Sequence, residues 1–148
     1  MNTTPTLTHA LFTSPFSHST DFTELADNCE RFAEVLAECD DPQQKMALCG
    51  RLSACLNLLQ PTLLDPVPEH LKASLTVEHF PGHLPLFEPE ADQLCGYCQT
   101  LTQLLMSGTL APEPESVLRD LLYRLVDFFA DMMKAPRWLK QGDIIIEL

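Results

Sequence analysis

The chain has 148 residues, 45% of them hydrophobic, and 21 acidic against 9 basic side chains, a formal net charge of -12. That length and apolar fraction suit one compact globular domain and exclude a wholly disordered chain. The acidic balance argues against general binding to phosphate backbones or anionic membranes, which needs clustered Lys and Arg.

No apolar run reaches the eighteen or so residues needed to cross a bilayer, and the first twenty residues lack a basic start and an apolar core. A soluble, cytoplasmic protein is the expectation. Six cysteines are then read as reduced thiols rather than as the disulfide framework of a small secreted chain. Cys29, Cys49 and Cys55 fall among the apolar positions of their helices, where a free cysteine packs as a small hydrophobe.

Residues 1 to 18 are rich in threonine and serine, uncharged and without helical rhythm, and are expected to form an extended arm. A helix is predicted from Ser19-Thr20-Asp21, any of which can cap it through a side-chain oxygen, to about Glu38. Phe22, Leu25, Cys29, Phe32 and Leu36 line one of its faces. Asp40-Asp41-Pro42 breaks the chain and starts a second helix, since proline at the first helical position has no donor to lose. Met46, Cys49, Leu52, Leu56 and Leu59 form its expected stripe and Pro61 its end. So short a connection predicts an antiparallel helical hairpin.

Residues 61 to 90 hold six of the twelve prolines. A short helix from Pro68 to about Val77 fits Leu71 and Leu75, and 79 to 89 is expected to be irregular because Pro81, Pro85 and Pro89 each remove a donor. A third long helix is predicted over Glu90 to Ser107, with Leu94, Cys98, Leu101, Leu104 and Leu105 inward and Gly108 as its cap. A fourth follows Pro112 and Pro114. Its stripe of Val117, Leu121, Leu125, Phe128 and Met132 is widened by Leu118, Leu122 and Phe129, so it is either central or in contact with another molecule.

After Pro136, Arg137-Trp138-Leu139 leads through Gly142 to three consecutive isoleucines, which favour an extended strand. A lone strand needs a partner: the amino-terminal arm, its twin in a dimer, or another protein's sheet edge. The fold expected is therefore all-α, a four-helix bundle-like domain over 19 to 136 with a short extra helix and a strand-like tail over 137 to 148.

Two constellations carry chemistry on paper. Cys95-Gly96-Tyr97-Cys98 at a helix start is a dithiol pattern, but a proline-rich loop precedes it where a thioredoxin-like site has a strand. With His79 and His83 the same pair makes a tetrahedral zinc set of two imidazoles and two thiolates. His79-Phe80-Pro81-Gly82 resembles the short motif bearing the catalytic histidine of hot-dog-fold hydroxyacyl-thioester dehydratases. That resemblance covers four residues. It implies a curved sheet around a helix and an acidic residue further on, for which this chain shows no counterpart.

What remains is surface. Glu24, Asp27, Glu30, Glu34 and Glu38 make an acidic ridge along the first helix, a docking strip for a basic partner or a stand-in for phosphates before a DNA-binding protein. Trp138, Ile144 and Ile146 are the apolar anchors expected in the tail. The sequence points to a small adaptor or regulator without catalytic activity, binding another protein and forming a homodimer. A zinc-stabilised protein and an acidic inhibitor of a DNA-binding protein are the alternatives.

Overall fold

The computed structural model describes residue 13 and residues 15 to 148. Most of the arm expected over 1 to 18 lies outside the described residues. Over residues 15 to 148, four α-helices, three short 3-10 turns and one small antiparallel sheet make up the regular structure; the long elements are α1 (Phe22–Glu38), α2 (Pro42–Leu59), α3 (Ala91–Met106), α4 (Pro112–Lys134), β1 (Trp138–Gln141) and β2 (Ile144–Glu147). The chain divides into two compact units, Met1–His79 and Phe80–Leu148. Within the first α1 packs on α2, and within the second α3 packs on α4.

In the first unit, Asp21 caps α1 by accepting from the Thr23 amide at 2.9 Å and the Glu24 amide at 3.0 Å. Cys39 then turns extended, and Asp41 accepts from the Gln43 amide at 3.4 Å to start α2 at Pro42. Side-chain oxygens thus satisfy amides that have no partner inside a first helical turn. Leu25 and Phe32 from α1 meet Leu48 and Cys55 from α2 in a fully buried core. Cys29, Val35, Leu36, Leu52 and Leu59 pack around it. The Phe16 ring tilts against Phe32, and the Arg51 guanidinium lies 4.4 Å from the Phe16 ring centre and 5.6 Å from that of Phe32. Such placement over aromatic faces lets a charged group share a core margin.

The stripe expected on α2 is rotated from the one observed. Met46 is 75% exposed, Cys49 and Leu56 are also exposed, and Leu48 and Cys55 are buried instead. Apolar residues surround this helix, from Met46 to Leu59, so their spacing does not single out one face. The short helix expected from Pro68 to Val77 is instead two 3-10 turns, Glu69–Leu71 and Ala73–Leu75, after a first at Gln60–Thr62. The hydroxyls of Ser74 and Thr76 donate to the carbonyls of Leu71 and Lys72. These local bonds compete with a continuing α-helix. Leu71 is buried while Leu75 is exposed, leaving a single apolar anchor.

Residues 77 to 90 carry no helix or strand, as their prolines dictate. In the second unit, the Glu90 amide donates to the Gln93 side chain at 3.0 Å at the start of α3. Gly108, at φ +67°, ends the helix in the left-handed region that glycine enters without strain. Pro112 opens α4, and Ala135 is extended at its end because Pro136 disfavours helical backbone in the preceding residue. No described helix is long and apolar enough to cross a membrane.

The tail does not stand alone. β1 and β2 pair antiparallel as Trp138↔Glu147, Leu139↔Ile146, Lys140↔Ile145 and Gln141↔Ile144. Gly142 sits at φ +61° in the two-residue turn between them. A glycine of positive φ at the first turn position matches the right-handed twist of the two strands. The Gly142-Asp143 turn was the readable sign of this hairpin.

Candidate functional site

Helix α4 is the longest described helix and carries apolar residues on more than one face, yet it contains no fully buried side chain. At 100° per residue, Leu118, Leu122, Leu125, Phe129 and Met132 share the face that is half-buried. Val117, Leu121 and Phe128 share the adjoining flank, at 63%, 42% and 43% exposure. The apolar arc is therefore wider than the neighbouring helix covers. Two ion pairs, Arg119 with Glu115 at 2.9 Å and Arg124 with Asp120 at 3.0 Å, brace polar positions along the same helix. Both are exposed pairs one turn apart, which add little stability.

The hairpin presents a second apolar surface. Residues opposite one another in an antiparallel pair project to the same face. Trp138, Lys140, Ile145 and Glu147 thus share one face, and Leu139, Gln141, Ile144 and Ile146 the other. The three anchors expected from the sequence are all exposed. They divide between faces, with Trp138 on one and Ile144 and Ile146 on the other.

In the first unit the acidic ridge forms as expected from helical spacing. Glu24, Asp27, Glu30, Glu34 and Glu38 are all exposed, within about a third of the circumference of α1. Arg31, the one basic residue among them, donates to Asn28 at 2.5 Å. At the start of α1 lies a groove of about 430 Å³ that sequence reasoning missed, because its lining comes from two segments some forty residues apart. His18, Asp21 and Phe22 line one side, and Leu63, Asp65, Pro66 and His70 the other. The Asp21 carboxyl is held below its ordinary range by the Thr23 hydroxyl and the Glu24 amide, with a further pull from His70. Its lone pairs are committed to capping α1 rather than to proton transfer.

Of the zinc set considered from sequence, His79 and His83 are exposed, Cys95 is half-buried and Cys98 is buried. Among the described residues no group of three or more His, Cys, Asp or Glu side chains is placed to hold a metal ion. Burial, and then the neighbouring Cys95, push the Cys98 thiol up. This is opposite to the shift that activates a thiolate. In the first unit, burial and then the Cys29 thiol push Cys55 up to about 11. The Cys55 thiol donates to the Leu25 carbonyl at 3.2 Å, so it bonds α2 to α1 as a neutral core group.

Compared with protein-family models, curated proteins and solved structures, the chain matches none. Three surfaces stand out in the geometry. They are the apolar flank of α4, the exposed hairpin and the acidic ridge of α1.

Proposed function

We propose that this chain is a small adaptor or regulator that binds another protein and has no catalytic chemistry of its own. The observation that carries the reading is the uncovered flank of α4, where Val117, Leu121 and Phe128 lie exposed in one line. Large apolar side chains in a contiguous patch mark interaction surfaces more often than single exposed leucines do. Trp138, Ile144 and Ile146 supply further anchors in the same unit, of the residue types that dominate interface energy.

The experiment is a quantitative capture from native extract with the full chain, a chain lacking residues 137 to 148, and a Leu121→Asp/Phe128→Asp variant. One partner bound stoichiometrically by the full chain, and weakened at least about tenfold by either change, is the expected result. Equal capture by all three proteins overturns this placement of the interface. Self-association of the full chain that is lost in the Leu121→Asp/Phe128→Asp variant, with no other protein bound, makes the flank a homodimer contact instead.

A second reading is favoured by the ridge of α1, whose five exposed acids face solvent as one charged strip. Here the partner is a basic protein, and binding weakens as salt screens the charges. Changing Glu24, Asp27, Glu34 and Glu38 to glutamine lowers the association rate by about tenfold or more if the ridge steers that encounter. An unchanged rate removes this reading and leaves the α4 flank as the interface.

A further inference from the structure

The two edges of the carboxyl-terminal hairpin are defended unequally. The Leu148 amide donates to the Arg137 carbonyl at 2.9 Å, which sets the phase of the ladder. Hydrogen-bonded and non-hydrogen-bonded pairs alternate along an antiparallel pair. The inward bonds therefore belong to Arg137 with Leu148, Leu139 with Ile146, and Gln141 with Ile144. The backbone groups of Trp138 and Lys140 point outward on β1, and those of Ile145 and Glu147 on β2.

Proteins blunt open edges with proline and lysine. The β1 edge has both, Pro136 just before it and Lys140 within it. The β2 edge has neither and carries charge only at its ends, Asp143 and Glu147; between them it offers amide and carbonyl groups at Ile145, 67% exposed, in a run of three β-branched residues. A two-stranded hairpin is marginal alone and gains from a third strand.

Charge decides what that strand is. A second copy of this chain, paired antiparallel about Ile145, would set Asp143 against the other copy's Glu147 at both ends, and in-register parallel pairing would set each acid against itself. Like charges directly opposite are destabilising, and each copy also carries a net charge of -12. We infer that the β2 edge takes up an extended segment of another protein, with apolar β-branched residues flanked by Lys or Arg four positions apart, facing Asp143 and Glu147. This deepens the adaptor reading and rests on it, naming the partner's chemistry at the tail.

The test is a titration of isotope-labelled full chain with the blocked peptide Gly-Lys-Val-Val-Val-Lys-Gly, followed by amide resonances and amide exchange. A peptide with glutamate in place of both lysines is the control. The amides of Ile144–Glu147 should shift saturably, those of Ile145 and Glu147 should become protected, and the acidic peptide should bind about tenfold more weakly or worse. Ile145→Pro removes an outward amide without removing a bond of the hairpin, and should abolish the effect. Ile145→Thr keeps that amide and should retain binding. Continued protection of the Leu148 amide in Ile145→Pro shows that the hairpin itself survives.

Equal binding of both peptides overturns the inference, as do shifts that persist in Ile145→Pro or no shift at about 5 mM peptide. Protection of Ile145 and Glu147 that grows with protein concentration alone also overturns it, in favour of a second copy. If the edge fails while capture still depends on Leu121 and Phe128, only the strand pairing is lost. If capture fails at every surface, the adaptor reading itself falls.

Discussion

The two helical hairpins differ in how completely they close. In the first, both helices contribute fully buried side chains, Leu25 and Phe32 from α1 and Leu48 and Cys55 from α2. In the second, α3 buries Leu94 and Cys98 while α4 buries nothing completely. The more open pair nevertheless contains the longest described helix, whose apolar arc is wider than one neighbour covers. Apolar content alone does not predict burial: one neighbouring helix covers a limited arc, and whatever exceeds it stays in water. The first hairpin closes a core between its own two helices, and the second leaves an apolar flank exposed.

The largest effect that would sharpen this contrast is Phe32→Ala. Removing a ring that is 1% exposed should cost about 3–5 kcal/mol, seen as a lower denaturant midpoint and faster amide exchange in α1 and α2. A cost below about 1 kcal/mol would show that the first core is no tighter than the second.

Alkaline titration gives the next effect. Cys55 has its pKa raised from 9.0 in the unfolded chain to about 11 in the folded one, chiefly by burial. Its contribution is fully present below pH 9 and lost as pH rises through 11, because there only the unfolded chain releases the proton. Denaturant midpoints should fall by the equivalent of roughly 1–2 kcal/mol across that window. Cys55→Ala should remove this slope even though it lowers the starting stability. A slope that persists in the variant assigns the titration to another group.

At the acid end, the lowered pKa of Asp21 works in the opposite sense. Its stabilising contribution is present above the ordinary carboxyl value of 3.8 and is lost as pH falls through the lower folded value. Asp21→Asn should keep a capping oxygen and flatten that acid dependence, whereas Asp21→Ala should lose the cap as well. Thermal melts between about pH 2 and 5 compare the three proteins. The smallest effect belongs to Leu121→Ala, expected to cost about 1 kcal/mol or less because its side chain is 42% exposed and leaves no closed cavity when shortened. A loss above about 2 kcal/mol would mean that this flank is core, and would break the comparison.

Much of the local structure was legible in the residues. Asp21, Asp41 with Pro42, and Gly108 mark helix ends through cap chemistry that acts within a few residues of itself. The faces of α1 and α3 could be read because polar residues bound their apolar stripes, except that Leu104, expected inward on α3, is 40% exposed at the edge of its stripe. The face of α2 could not, since its apolar residues surround the helix and several rotations satisfy the pattern equally. The three isoleucines by themselves predict a lone strand, whereas the Gly142-Asp143 turn folds them back on Trp138–Gln141. Of the candidate surfaces, the acidic ridge was visible as a one-helix pattern, while the groove beside His18 and His70 was not.

Sequence by itself determined the helical character, the cap positions, the proline-bound irregular segment and the acidic strip, because each depends on interactions within a turn or two of chain. Tertiary structure decided which side of α2 is buried, that α1 packs on α2 and α3 on α4, how Trp138, Ile144 and Ile146 divide between the faces of the hairpin, and which backbone groups of β2 point outward. Those outcomes turn on which neighbour covers which arc and on the phase of a hydrogen-bond ladder, and both are set only when distant residues meet.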